Sequence, residues 1–403
     1  MSSENAKLVP KLRFPEFRSA GGWTLRELGD CLDYLQPTQY LVNSTAYNDN
    51  YEIPVVTAGK TFILGHTDET EGVFDQPLPV VIFDDFTTAT QYVDFRFKAK
   101  SSAMKILLAK QNANIKFIYE SIQQIDYEVG AHGRHWISAY SKIKVAIPKL
   151  DEQQKISDCL SSLDELIAAL ARKVGALKTH KKGLMQQLFP REGETQPRLR
   201  FPEFQGAGEW TPTALGSIAS FSSGGTPSKD NPEYWNGSIP WVSASSMYEL
   251  HISKADHYVT PLAIGNGTRI AKKGTLLILV RGSMLFKRVP MCIAAVDVAF
   301  NQDVKALKID PSIIGTFLIY QLLTNEARIP INETGIGAGK IELTDLKEFG
   351  LFIPSQPEQC RIADSLTNLD DLITAATQEL DTLKTHKKGL MQQLFPSAAA
   401  VET

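Results

Sequence analysis

Cysteine is scarce, cationic excess is absent and no long apolar run occurs. The 403-residue chain has four cysteines, Cys31, Cys159, Cys292 and Cys360. None forms a Cys-x-x-Cys pair, so neither a zinc site nor a disulfide framework is indicated, and reduced thiols in a cytoplasmic protein are expected. Lysine and arginine total 42 against 45 acidic residues, a net charge of −3. That balance excludes a polycation-like DNA binder and confines any nucleic-acid surface to a local patch. Apolar stretches such as Leu276–Val280 are far too short to cross a bilayer. The opening MSSENAKLVPKLRF has no apolar segment of the signal-peptide kind.

Catalytic signatures are missing too. A P-loop requires Gly-x-x-x-x-Gly-Lys-Ser/Thr, but Gly339-Lys340 has Thr334 at the first glycine and Ile341 at the last position. Asn231-Pro232-Glu233-Tyr234 carries Glu where an adenine methyltransferase motif carries a second Pro. No Pro-Asp dipeptide of the common nuclease pattern occurs, nor His-Glu-x-x-His, nor Gly-x-Ser-x-Gly. His132-x-x-His135 has no cysteine or third histidine nearby, and no metal site is expected.

What the chain has is a repeat. PKLRFPEF at 10–17 returns as PRLRFPEF at 197–204, with Leu12 and Leu199 187 positions apart. Trp23 and Trp210, then Leu28-Gly29 and Leu215-Gly216, keep that offset. LKTHKKGLMQQLFP recurs over 177–190 and 383–396, fourteen identical residues at an offset of 206. Upstream, IPKLDEQQKISDCLSSLDELI at 147–167 matches IPSQPEQCRIADSLTNLDDLI at 353–373. The middles, 30–140 and 217–345, share almost nothing, and the second is longer by about 19 residues. Constant ends around divergent middles imply a duplicated architecture whose modules hold equivalent places but contact different things. With 43% hydrophobic and 22% charged residues, the chain has enough apolar content for two or three domains with cores.

The constant segments read as long helices. Ile156, Leu160, Leu163, Ile167, Leu170, Val174, Leu177, Lys181, Leu184 and Leu188 alternate steps of four and three. Ile362, Leu366, Leu369, Ile373, Ala376, Leu380, Leu383, Lys387, Leu390 and Leu394 do the same, a coiled-coil seam. Ser355 with Glu358 reads as a capping box and Asp151 with Gln154 as a weaker one. Pro190 and Pro396 stop the helices. A helix from 156 to 188 would run roughly 50 Å. The two are expected to pack antiparallel as a spacer between two heads. Lys181 and Lys387 interrupt the seam at matching places. They read either as snorkelling cations at a frayed end or, with Leu184, Leu188, Leu390 and Leu394, as a seat for a partner subunit's helix.

The expected fold class is α+β, with mixed α/β modules over 1–150 and 191–356, helical segments over 151–190 and 357–396, and a tail over 397–403. Strands are expected at Tyr51–Val56, Pro79–Phe83, Lys142–Ile147, Leu276–Val280, Met291–Ala294 and Asp303–Ile309. Helices are expected near 101–110, 114–124 and 311–327. Phe83, Phe86, Trp235 and Trp241 are read as core.

Polar clusters in these modules supply candidate DNA contacts. In the first they are Lys60, Thr61, Arg96, Lys98, His132, Arg134 and His135. In the second they are Thr226, Ser228, Lys229, Arg281, Lys287, Arg288, Asn301, Gln302 and Lys340. Arginine holds guanine O6/N7 bidentately and Asn or Gln holds adenine N6/N7. Glycine admits close backbone approach to phosphate, and Lys, Ser and Thr complete such contacts. The Gly224-Gly225-Thr226-Pro227 stretch also reads as an ordinary turn.

Two variable modules alternating with near-identical helical segments resemble the specificity (S) subunits of type I restriction-modification enzymes. The marks are the paired LRFPEF…Trp…Leu-Gly segments and the paired Ile-Pro…Glu-Gln…Leu-Asp segments. Thr226-Pro227-Ser228 through Tyr234–Val242, Arg281-Gly282-Ser283 and Asn301-Gln302-Asp303-Val304 add to them. The resemblance implies a bacterial or archaeal restriction system serving phage defence, with no catalysis on this chain. Each target-recognition domain would read half of a split, asymmetric DNA site. The helices would set the gap and dock two methyltransferase (M) subunits, which use S-adenosylmethionine for adenine methylation. Restriction (R) subunits using ATP and Mg would join. A stand-alone tandem nucleic-acid-binding protein is the alternative.

Overall fold

A computed structural model describes residues 8–59, 61–129, 134–334 and 337–396. Its principal helices are α1 (Ile115–Ile122), α2 (Leu150–Leu188), α3 (Gly315–Thr324) and α4 (Gln356–Leu394). The chain divides into two compact units, Met1–Ala171 with Gln378–Thr403, and Arg172–Thr377. Each unit therefore owns one middle, the start of one long helix and the end of the other. No helix among the described residues is long and apolar enough to cross a membrane.

In the first unit the strands are β1 (Thr24–Glu27), β2 (Leu32–Leu35), β3 (Ile53–Val56), β4 (Ile63–Thr67), β5 (Val80–Asp84), β6 (Thr90–Val93), β7 (Lys98–Ala99), β8 (Met104–Ala109) and β9 (Lys144–Ile147). They form the sheets β2-β8-β5-β6 and β4-β3-β7, and β1 pairs with β9. Residues 101–110, expected as helix, instead hold β8. A short apolar run does not distinguish the two by itself; here pairing to both β2 and β5 decides for strand. Ile156 and Leu160 of α2 share a core with Leu390, Met391 and Leu394 of α4. The start of one helix thus lies antiparallel on the end of the other.

The second unit has β10 (Thr211–Ala214), β11 (Ala219–Ser223), β12 (Trp235–Val242), β13 (His251–Ile252), β14 (His257–Val259), β15 (Arg269–Ala271), β16 (Leu276–Leu279) and β17 (Arg281–Gly282). There follow β18 (Met291–Ala294), β19 (Val298–Phe300), β20 (Val304–Ile309), β21 (Asn332–Thr334), β22 (Ala338–Lys340) and β23 (Gly350–Ile353). The sheets β11-β20-β16-β18-β13 and β14-β12-β19-β15 repeat the first unit's plan with added strands, and β10 pairs with β23. In both units one strand is antiparallel to one neighbour and parallel to the other, β3 between β4 and β7, β12 between β14 and β19. Leu184 and Leu188 pack with Ile362 and Leu366, again antiparallel. The middles without sequence likeness are one fold built twice. Phe83 and Trp241 are core as expected, whereas Phe86 is 47% exposed and Trp235 half-buried.

Candidate nucleic-acid interface

The surfaces are placed by a joint made twice. Arg13 donates from Nε and Nη2 to Glu152 at 2.7 and 2.6 Å, and the Trp23 indole adds a third bond at 3.2 Å. Arg200 grips Glu358 at 2.7 and 2.8 Å, with Trp210 at 3.3 Å. The carboxylates hold both guanidinium pKa values above their ordinary range, against burial. Glu358 is thereby drawn away from the capping box expected with Ser355, and Gln154 bonds Asn114 and Asp158 rather than closing one with Asp151. Gln153 and Gln359 accept from the N–H of Asn114 and of Ile314, each at 2.9 Å, at the starts of α1 and α3. Aromatic trios complete the joints, Trp23 with Phe117 and Phe395, Trp210 with Phe317 and Phe189.

The six residues expected to seat a partner belong to this joint. Lys387 bridges Asp164 at 2.7 Å and Glu120 at 3.0 Å, and Lys181 bridges Asp370 at 2.6 Å beside the Tyr320 hydroxyl. The Leu-Asp aspartates of the repeat neutralise both lysines within the chain. Leu188 and Leu394 are fully buried, and Leu184 and Leu390 pack against the same cores. These contacts are internal to each unit.

In the second unit, loops at one end of the sheets gather several expected contacts. Gly224 and Gly225 let the chain pass beneath β19. A Cβ would meet Phe300 O at 1.9 Å on Gly224, and Gly267 O at 2.1 Å on Gly225. The Trp241 indole caps Gly225 O at 3.0 Å, and Trp235 caps Ser228 O at 3.0 Å. Thr226, Ser228 and Lys229 are left exposed. Thr226 donates to Gln302 Oε1 at 2.8 Å, and Lys305 reaches Ser223 Oγ at 2.6 Å and Gln302 O at 3.2 Å. Arg281 lies opposite Lys340 in the β17–β22 pair, with Lys340 bridged to Glu342 at 2.6 Å. Lys287 is exposed.

Two expected contacts in this unit are spent on structure. Asn301 is buried and accepts from the N–H of Asp303 and Val304, both at 3.1 Å, shaping the turn that presents Gln302. Arg288 is half-buried and donates to Met247 O. Lys305 was not anticipated; with Lys308 it is one of two lysines in the otherwise apolar β20. Burial lowers its pKa, with Asp303 opposing.

In the first unit Thr61, Arg96 and Arg134 are exposed, Arg96 beside Glu52 at 2.9 Å. Lys98 is not available. It is 2% exposed, paired to Glu69 at 2.9 Å and bonded to Glu71 O. Glu69 is pushed up by burial, yet hydrogen bonds from Ser44, Lys98 and Asn43 hold its carboxyl down at about 2. His135 is buried against Tyr127, with its N–H on Asp85 O at 2.9 Å. Lys60 and His132 lie outside the described residues. Among the described residues no cluster of three His, Cys, Asp or Glu side chains is arranged to hold a metal.

A family model for the type I restriction modification DNA specificity domain matches residues 20–178 and again 207–385. The chain is 37% identical over 366 residues to the type I restriction enzyme EcoR124I/EcoR124II specificity subunit of Escherichia coli, covering 88% of each. It is 28% identical over 193 residues to the MjaIX specificity subunit of Methanocaldococcus jannaschii, 46% of this chain and 44% of that one. The crystal structure of the type I restriction-modification S subunit from M. genitalium aligns with a TM-score of 0.66 at 16% identity, over 96% and 99% of the two chains. A chain from a structural study of type I complex assembly and conformational transition aligns at 0.51 and 18%, over 94% and 97%.

Proposed function

We propose that this chain, which belongs to the family of type I restriction-modification DNA specificity subunits, reads a split and asymmetric DNA site, one half with each unit. Membership makes it the DNA-recognition subunit of such a system and a non-catalytic one. Its partners are DNA and the methyltransferase and restriction subunits. The finer assignments are ours. Two methyltransferase subunits, using S-adenosylmethionine, methylate adenine on the two strands, and restriction subunits use ATP and Mg. The long helices fix the gap between the half-sites.

One observation carries the reading: the same internal hydrogen bonds frame both units, while the surfaces they present differ. Thr226, Ser228, Lys229, Gln302, Lys305 and Arg281 are the second unit's candidates for base and phosphate contact. Thr61 and Arg96 are the first's. Gln302 has the donor–acceptor pair adenine requires and Arg281 the fork guanine requires.

The test is a methylome. The chain is expressed with its methyltransferase subunit and N6-methyladenine is mapped across the host genome. Two short unlike sequences around a fixed gap are expected. A continuous or palindromic motif would refute the two-headed reading, as would no new methylation from a partner active with another specificity subunit.

A further inference from the structure

Hydrogen bonds align the two units residue by residue where their sequences do not. The N–H of Asp85, just after β5, donates to Ala103 O at 3.0 Å, and that of Val280, just after β16, to Asp303 O at 2.8 Å. Asp85 O then accepts from the N–H of His135 and Val280 O from that of Ile341, each at 2.9 Å. Arg134 and Lys340 immediately precede these anchors. Each also stands 16 residues before the first residue of its long helix, Leu150 or Gln356. They occupy one place in a fold built twice.

Two other surface positions aligned in this way are not alike. Phe86 stands where Arg281 does, following Asp85 and Val280. Asn43 stands where Thr226 does, since the preceding N–H groups of Val42 and Gly225 bond Ala99 O and Phe300 O, each at 2.9 Å. At 134 and 340 the charge is kept and its carrier exchanged. A bidentate base contact does not survive an Arg-to-Lys exchange, whereas a phosphate contact needs only the charge and some reach. Two heads reading different sequences still meet the same backbone.

We propose that Arg134 and Lys340 are one DNA-backbone contact made twice, each binding a phosphate, with sequence read by residues the units do not share. Arg134 is exposed. Lys340 is held by Glu342 at 2.6 Å, but the side chains are 36% and 43% exposed, and such a pair is weak enough to yield to phosphate. The inference rests on the two-headed reading. Failure of that reading appears as a missing split motif in the methylome, while failure here appears in salt dependence.

The experiment uses the complex with the methyltransferase subunit and two duplexes, one carrying the mapped site and one scrambled. Fluorescence anisotropy follows binding across salt concentrations. Arg134→Ala and Lys340→Ala are each expected to lower the slope of log affinity against log salt by about 0.9 and to weaken both duplexes about eightfold near 0.1 M salt. The preference between duplexes stays unchanged, and Arg134→Lys and Lys340→Arg bind as the parent does. An unchanged slope overturns the proposal. So does a lost preference between the two duplexes, or an Arg134→Lys variant as weak as the alanine, each of which would make the residue a base reader.

Discussion

Replacing Glu152 by alanine should unfasten one head and leave the other working. Glu152 is 2% exposed and Arg13 is 8% exposed. Three donors converge on the carboxylate, two from Arg13 at 2.7 and 2.6 Å and one from Trp23 at 3.2 Å. Without it a buried guanidinium has no counter-charge, which costs about 3–5 kcal/mol. Taking about 4 kcal/mol, the unfolding transition of the first unit should fall by roughly 8–16 °C, at about 2–4 °C per kcal/mol for a domain of this size. Calorimetry of the complex measures the fall. Half-site variants then show discrimination lost on one side of the gap and kept on the other. A loss below about 1 kcal/mol would show that Arg13 reaches water once the carboxylate is gone. Equal damage to both half-sites would show that the heads are not independently mounted. Either result refutes the reasoning.

Lys387→Met tests the second tie of the same joint. Burial pushes the Asp164 carboxyl up, but hydrogen bonds from Lys116 and Lys387 outweigh it and hold it below the usual range. With the folded pKa below an unfolded value of about 3.9, the stabilisation is complete above that pH and is lost as pH falls through the folded value. The urea midpoint of Lys387→Met should lie below the parent's at neutral pH, with a gap that closes below about pH 4; a gap constant with pH would contradict the pairing. Gly224→Ala should cost about 1–3 kcal/mol or more, since its Cβ would meet Phe300 O at 1.9 Å and Asn301 O at 2.6 Å, and it should blunt one half-site. Unaltered specificity in the methylome would remove that loop from the interface. Four residues inserted into one long helix add about 6 Å, close to two base pairs. The mapped gap should change and the half-sites should not; changed half-sites would end the idea of a spacer.

The frame was legible because it repeats. Leu12 to Phe17, Trp23, the Glu-Gln pairs and the Leu-Asp pairs recur at fixed offsets, and the seam period marked both long helices. What the repeated polar residues do was not legible. Glu358 sits three places after Ser355 and reads as a capping residue, yet its partners Arg200 and Trp210 lie about 150 residues away. Local spacing carries no trace of so distant a contact. Lys181 and Lys387 looked like breaks in an apolar seam for the same reason. Residue type alone does not show which side chains are free to make a contact. Lys98 and Asn301 have the right chemistry, but an ion pair and a turn consume them, while Lys305 was hidden in a strand whose other side chains are mostly buried. The likeness between the middles was invisible because the topology fixes backbone pairing and burial, not side-chain identity.

A polar joint where apolar packing would hold as well calls for a reason. Replacing a buried ion pair with matched apolar side chains is often neutral or stabilising, so the Arg–Glu clamps are not required for strength. They do require one geometry: a fork on a carboxylate is satisfied in a narrow range of distance and angle, whereas apolar surfaces tolerate drift. A subunit whose heads must meet DNA at a fixed gap needs the geometry more than the energy. Arg200→Met with Glu358→Met should therefore unfold within a few degrees of the parent while loosening the spacing it enforces. In the methylome the double variant would mark its half-sites at more than one gap length. A single gap kept by a stable double variant would place the ruler elsewhere in the joint, in the Gln359 bond to Ile314 or the Trp210–Phe317 contact.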